Sequence, residues 1–178
     1  MKKRINPSLK AHLIRGVVYL LLLLGVGLIT IALAQRTTAK GNRPADVITV
    51  TNTNDSGSGS LRQALADASN GDTINFAVTG TIGLTSGELL VDHSITISGP
   101  GAENLAVNGN SKSRVFHIGS AQTVTISGLT ITNGDASDNG GGIDNDHAML
   151  TLSNCVVAAN AAPFPYFGGS FCDRNRAS

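Results

Sequence analysis

Apolar and polar positions alternate with period two along most of this chain, in short runs broken by Gly, Asn and Asp. Period-two alternation puts one residue of each pair on one face of a strand and its neighbour on the other. Two runs match in phase: TVTISGLTITNG (Thr123–Gly134) and MLTLSNCVVAAN (Met149–Asn160). Val124 and Ile126 fall on Leu150 and Leu152, Ser127 on Ser153, Leu129 on Cys155 and Ile131 on Val157. A shorter copy, SITISG, places Ile95 and Ile97 in the same phase. Ile97 to Ile126 is 29 residues and Ile126 to Leu152 is 26. Repeats of this size mark stacked units that cannot bury their apolar face alone. The alternation makes each unit a set of strands, so the pattern predicts an all-β solenoid of parallel strands.

Strands are expected at Asp46–Asn52 and then, from Asp72, at Ile74/Phe76, Ile82/Leu84, Leu89/Val91, Ile95/Ile97, Leu105/Val107 and 115–118, before the two matched runs. Three short strands per ~26 residues describe a coil with three faces, repeated somewhat more than three times between Asp72 and Asn160. Gly and Asn at the breaks suit left-handed corners, and Asn at equivalent corners could stack as amide ladders. One segment departs from period two. Leu61, Ala64, Leu65 and Ala68 follow helical spacing, with Ser60 as N-cap and Gln63 at capping-box distance. This predicts a helix over 61–69, placed to cover the open end of the first coil.

The N-terminus is of another kind. Lys2, Lys3, Arg4, Lys10 and Arg15 precede an uncharged run, Val17 to Ala34, ending in Ala32-Leu33-Ala34. That is the layout of an export signal at 1–34, cleaved before Gln35. The alternative is a retained anchor, because 18 residues approach the span of ~30 Å of hydrocarbon. Either reading takes the rest of the chain out of the cytoplasm, to the cell surface or the medium, with membrane contact only through this segment. A polar tether follows at 35–45, then the coils at 46–162. All 12 acidic residues but only eight of the 13 basic ones lie beyond Ala34, so the exported part is acidic. It has no basic stripe, which argues against nucleic acid as a partner.

The run VTNTNDSGSGSLRQALADASNGDTINF resembles the opening of secreted bacterial β-helix proteins of the pectin-lyase-like superfamily. Their Cys-Ser-Leu-Arg-Glu-Ala-like motif has Gly59 in place of Cys and Gln63 in place of Glu here. SGPGAENLAVNGNSKSRVFHI and the GGGI-plus-LTLSNC arrangement are similar to the same group and to polymorphic outer-membrane proteins. The resemblance covers about Val47 to Ala162. It implies a right-handed parallel β-helix. It implies little about activity, since members range from adhesin-like and stalk-like proteins to carbohydrate-active enzymes. Relatives usually continue with further GGGI coils, whereas here residues 163–178 turn into an aromatic tail with Phe164, Tyr166, Phe167 and Phe171. The tail reads as a truncation or as a short aromatic cap.

Candidate chemistry is sparse. Asp135, Asp138, Asp144 and Asp146, with Asn139 and Asn145, crowd a Gly-rich stretch and could offer oxygens to calcium, the one candidate cofactor. Their spacing matches no EF-hand and only loosely echoes the calcium-binding nonapeptide repeat, and the alternative is a solvated loop of turn formers. Asp144 and Asp146 share one side of a strand by period two. Their expected separation falls in the range of an inverting glycosidase pair, about 6.5–9.5 Å. For a lyase, which by the resemblance would need a basic residue, only Lys112, Arg114, His93, His117 and His147 lie within the coils, and Arg114 reads first as a charged outward strand residue. No catalytic residue is assigned. His12, His93, His117 and His147 show no zinc spacing. Cys155 reads as an inward free thiol, with a bridge to Cys172 as the alternative. The expected function is therefore display. A rigid exported rod, adhesin-like or stalk-like, would present Thr123, Thr125, Thr130 and Thr132 on a polar face to polysaccharide or a surface protein. The rivals are the N-terminal piece of a polysaccharide lyase or glycoside hydrolase, and a remnant without function.

Overall fold

The computed structural model describes residues 43–163 and 169–176; the export signal or anchor expected at 1–34, most of the tether, and Phe164, Tyr166 and Phe167 of the tail lie outside them. In chain order the elements are β1 (Val47–Val50), α1 (Leu61–Asp67), β2 (Thr73–Phe76), β3 (Gly80–Gly83) and β4 (Leu89–Val91). Then follow β5 (Thr96–Ser98), β6 (Leu105–Asn108), β7 (Phe116–Ile118), β8 (Thr123–Ser127) and β9 (Thr130–Thr132). The last are β10 (Ile143–Asn145), β11 (Met149–Ser153), β12 (Val156–Ala158) and β13 (Phe171–Asp173), with a 3₁₀ turn at Arg174–Arg176.

β1 pairs with β2, and from β2 onward every third strand pairs, always in parallel. Sheet A runs β1-β2-β5-β8-β11, sheet B β3-β6-β9-β12 and sheet C β4-β7-β10-β13. The described residues form a three-faced parallel β-helix of four turns after the opening strand. The register is the one that the sequence repeats carry. Val124 faces Leu150, Ile126 faces Leu152, and Ile131 faces Val157. Ile74, Ile97 and Ile126 form one column.

Alternation decides what is buried. Ile74, Ile97, Val107, Ile118, Val124, Ile126 and Ile131 are all inward and fully buried, and with Phe116, Leu129 and Ile143 they form one continuous core. The corners recur with the same spacing. Ala121 and His147, Gly128 and Asn154, and Asn133 and Ala159 are 26 residues apart in pairs, and all have positive φ. Gly128 is fixed by contact as well, since a Cβ there would lie 2.6 Å from the Gly99 carbonyl oxygen. Two corner asparagine amides serve the backbone of the neighbouring turn. Asn110 Nδ2 donates to the Leu84 carbonyl, and Asn160 Nδ2 to that of Ile131.

The helix forms where expected, two residues shorter than 61–69. The Ser60 hydroxyl accepts from the Gln63 amide, but the Gln63 side chain turns to Asp67, so the capping box is half made. Leu61, Ala64 and Leu65 enter the core beside β1 and β4, which closes the N-terminal end. Arg62 completes that closure. Its guanidinium donates to the carbonyls of Gly87 and Glu88, just ahead of β4, and to Asp55.

Two readings change. The segment 163–178 is not wholly foreign to the coil, because Phe171–Asp173 forms β13 and pairs with β10 as the fourth strand of sheet C. Cys155 is free, as is Cys172, but it is half-buried rather than enclosed. Its equivalent one turn earlier, Leu129, is fully buried. Among the described residues the turn holding Cys155 is the last of sheets A and B, with a neighbouring turn on one side only.

Candidate functional site

Polar groups sort onto the outer faces by type. On sheet A, outward alternation stacks Thr73, Thr96, Thr125 and Thr151 in one column, headed by Val47. Two residues along, Thr49, Asn75, Ser98, Ser127 and Ser153 make a second column. Neither column holds a charge. Parallel pairing sets the rows about 4.8 Å apart, and Thr–Thr neighbours at that distance support one another across the strands. Thr123 lies on this face, opposite Met149. Thr130 and Thr132 are on β9 in sheet B, beyond the Gly128 corner, stacked on Ala106 and Asn108. The four threonines expected on one face are therefore divided between two.

Charge gathers on sheet C. Register places His117, Asp144 and Cys172 side by side on its outer face, below Leu90. Asp144 is fully buried there. Arg174 covers it in a two-point pair, Nε to Oδ1 at 3.0 Å and Nη2 to Oδ2 at 2.6 Å. Arg114 Nη2 lies 3.8 Å from Oδ2. His117 Nδ1 lies 3.4 Å from Oδ2, but out of line for a hydrogen bond. The bond to Asp144 raises the Arg174 pKa against the opposing effect of burial. Burial, with the Asp144 charge next, pushes the Cys172 thiol up, which keeps it protonated and a poor nucleophile.

Arg114 is not the outward, solvated residue that the strand pattern suggests. It stands at the corner ahead of β7, is 8% exposed, and joins three turns. It donates to Glu88 Oε2 at 2.7 Å from the turn before, and to the Asn139 and Gly140 carbonyls at 2.8 and 3.1 Å from the turn after. It also meets the Asp138 carboxylate. A guanidinium has five donors in a rigid fork, and this one spends them along the corner of sheets B and C.

Three of the four aspartates proposed for calcium are engaged by these arginines. Asp138 goes to Arg114. Asp144 goes to Arg174, which also lies 3.7 Å from Asp146. Asp146 accepts from His147 at 2.9 Å, and that bond first, with Arg174 and His117 adding, lowers its pKa. Asp135 is exposed, in a bridge with Ala161. Among the described residues no three His, Cys, Asp or Glu side chains converge as a metal site would need. Glu88, Lys112, Ser113, Asp135 and Asp138 line an open cleft of about 380 Å³ beside Arg114. His93, the remaining base considered, pairs with its neighbour Asp92 at 2.8 Å.

The residues that sequence reasoning missed are Glu88, Cys172 and Arg174. The repeat register carries Asp144 back onto His117, so that neighbour was within reach. Arg174 was not, because it follows a strand in a segment without the repeat's pattern. No protein-family model matches this chain, and no curated protein matches it.

Proposed function

We infer that this chain is a non-catalytic, exported β-helix protein that displays a polar face to a neutral glycan or a surface protein. The observation that carries this reading is the outer face of sheet A, where two uncharged columns of Thr, Ser and Asn run through four rows and five, the shorter one headed by Val47. Many weak, regularly spaced hydroxyl contacts on a rigid support suit a repetitive partner, since each added contact becomes intramolecular once the first is made. The resemblance to secreted pectin-lyase-like β-helix proteins supports the same reading, as does the signal-like N-terminus. Catalysis by Asp144 and Asp146 is disfavoured by Arg174, which holds both carboxylates as ion-pair partners.

The test is retention of the full chain on a panel of insoluble neutral polysaccharides, with acidic ones as contrast. Substituting Thr96, Thr125 and Thr151 together by Ala is expected to abolish retention, while Asp146→Asn leaves it unchanged. Release of reducing ends or unsaturated uronates from any of the polymers would overturn the reading in favour of an enzyme.

A further inference from the structure

Four Asn-Gly steps lie along the coils, at Asn70-Gly71, Asn108-Gly109, Asn133-Gly134 and Asn139-Gly140. Such a step carries chemistry of its own. The glycine nitrogen sits beside the asparagine side-chain carbonyl carbon and, with no glycine side chain in the way, can attack it once the nitrogen has lost its proton. In three of the steps that nitrogen is tied to a neighbouring turn. The Gly71 amide donates to the Ser94 carbonyl at 2.7 Å, and the Gly109 amide to the Thr132 carbonyl at 2.9 Å. The Gly134 amide donates to Asn160 Oδ1 at 2.8 Å. Two of the asparagine side chains are held as well, since Asn70 Oδ1 accepts from the Ser94 amide and Asn108 Oδ1 from the Asn110 amide.

The step at Asn139 is unlike these. Gly140 is buried, yet among the described residues its amide donates to no acceptor. Buried amides are nearly always paired. The glycine itself is required by the corner, because its φ is +58° and a Cβ would lie 2.3 Å from the Ile143 carbonyl oxygen.

The carbonyl of the same peptide unit is gripped by Arg114. Nη2 lies 2.8 Å and Nε 3.2 Å from the Asn139 oxygen. When the Gly140 nitrogen loses its proton, amide resonance carries the negative charge onto that oxygen. Arg114 is 8% exposed, so its donors meet the developing charge where water screens little. Glu88 and Asp138 balance part of the guanidinium charge, but the two N–H groups stay aimed at the Asn139 oxygen. The Asn108 and Asn133 carbonyls accept instead from the backbone amides of Leu84 and Ser111.

We propose that Asn139 is a site of spontaneous deamidation, promoted by Arg114. The Gly140 nitrogen gives up its proton and bonds to Asn139 Cγ. The Cγ–Nδ2 bond breaks, and the side-chain nitrogen takes up a proton and leaves as ammonia. Water then opens the succinimide ring at either carbonyl, giving aspartate or isoaspartate. Both products add a carboxylate next to Asp138, at a corner where Glu88 and Asp138 already share Arg114. Isoaspartate also lengthens the main chain between the two carbonyls that Arg114 holds.

The test uses the full chain, incubated at mildly alkaline pH and then digested ahead of aspartate, which releases Asp138–Ile143 with Asn139 as its one asparagine. Mass spectrometry reads the amide-to-acid exchange at each step. In the folded protein Asn139 is expected to convert at least about tenfold faster than Asn70, Asn108 or Asn133, the worth of one charge-assisted hydrogen bond. In urea, with the fold lost, the four rates should converge. Arg114→Lys keeps the charge but not the planar fork, and should slow conversion at Asn139 while leaving the other three unchanged. A variant that merely loosened the corner would speed it. Conversion at Asn139 no faster than at the other steps would overturn the proposal. So would the same ratio of rates in urea, or a folded Arg114→Lys variant that converts as fast as the parent or faster. The comparison of folded and unfolded parent decides the matter even where the lysine variant does not fold.

Discussion

Asp144 is the most constrained side chain of sheet C, a buried carboxylate held by one guanidinium at two points and flanked by a second. Burying such a charge is costly unless it is paired, and removing one partner leaves the other uncompensated. Asp144→Ala is expected to destabilise the fold by about 3 kcal/mol, the lower end for a broken buried pair, because Arg174 is one-third exposed and can recover water. Urea unfolding measures this, and a loss below about 0.5 kcal/mol would mean that the pair is no better than a surface one. Asp55 makes a second node, accepting from Arg62 at 2.7 Å and from Thr85 Oγ1 and the Ser86 amide at 2.9 Å. Desolvation is the largest single influence and raises its pKa, but the bonds from Ser86, Arg62 and Thr85 together outweigh it and hold the carboxyl far below the usual carboxylate range. A carboxyl depressed in the folded state stabilises it fully above the unfolded value, near 4, and loses that contribution as pH falls towards the folded one. Asp55→Asn should therefore lower stability at pH 7 and flatten its decline below about pH 4. Parallel decline of the variant and the parent in thermal scans across that range would count against the node.

At the scale of elements, α1 replaces the strands that a regular turn would place ahead of β3 and β4. Leu61 is fully buried where the helix meets the first turn. Leu61→Ala is expected to cost about 3 kcal/mol, within the range for a buried leucine, and Ser60→Ala about 1 kcal/mol through the lost cap. Both are read by denaturant midpoints with unchanged slopes. This helix and nearly every strand were legible in the sequence, because each rests on a local signal: period two for strands, period 3.6 and a capping serine for α1. Register was legible too, since Ile97, Ile126 and Leu152 repeat in phase and stacking must keep that phase. The strand β13 was not. Phe171-Cys172-Asp173 is three residues long, has no internal repeat, and follows an aromatic stretch unlike the coils. The site was read less well for the same reason. Alternation says that Asp144 points outward, yet outward is not exposed when Arg114 and Arg174 arrive from other turns. Alternation also put four threonines on one face, because a corner as brief as Gly128-Leu129 turns the chain to a new sheet without interrupting the pattern.

A solenoid distributes stability along its axis, since each turn touches only its neighbours. Ile126 and Leu152 occupy the same column of sheet A, but among the described residues Ile126 has a turn on either side and Leu152 only one. Truncating Ile126 to Ala removes contacts above and below and is expected to cost about 4 kcal/mol, near the upper range for aliphatic core residues. Leu152→Ala, at a half-buried site, should cost roughly half of that, because solvent already reaches the position. The same gradient governs opening without mutation. In the dilute protein, amides of β11 and β12 should exchange with solvent faster than those of β5 and β8, whose opening needs both neighbouring turns to separate. Equal exchange across all four strands would contradict this gradient, because strands held from both sides and strands held from one side would then open with the same free energy.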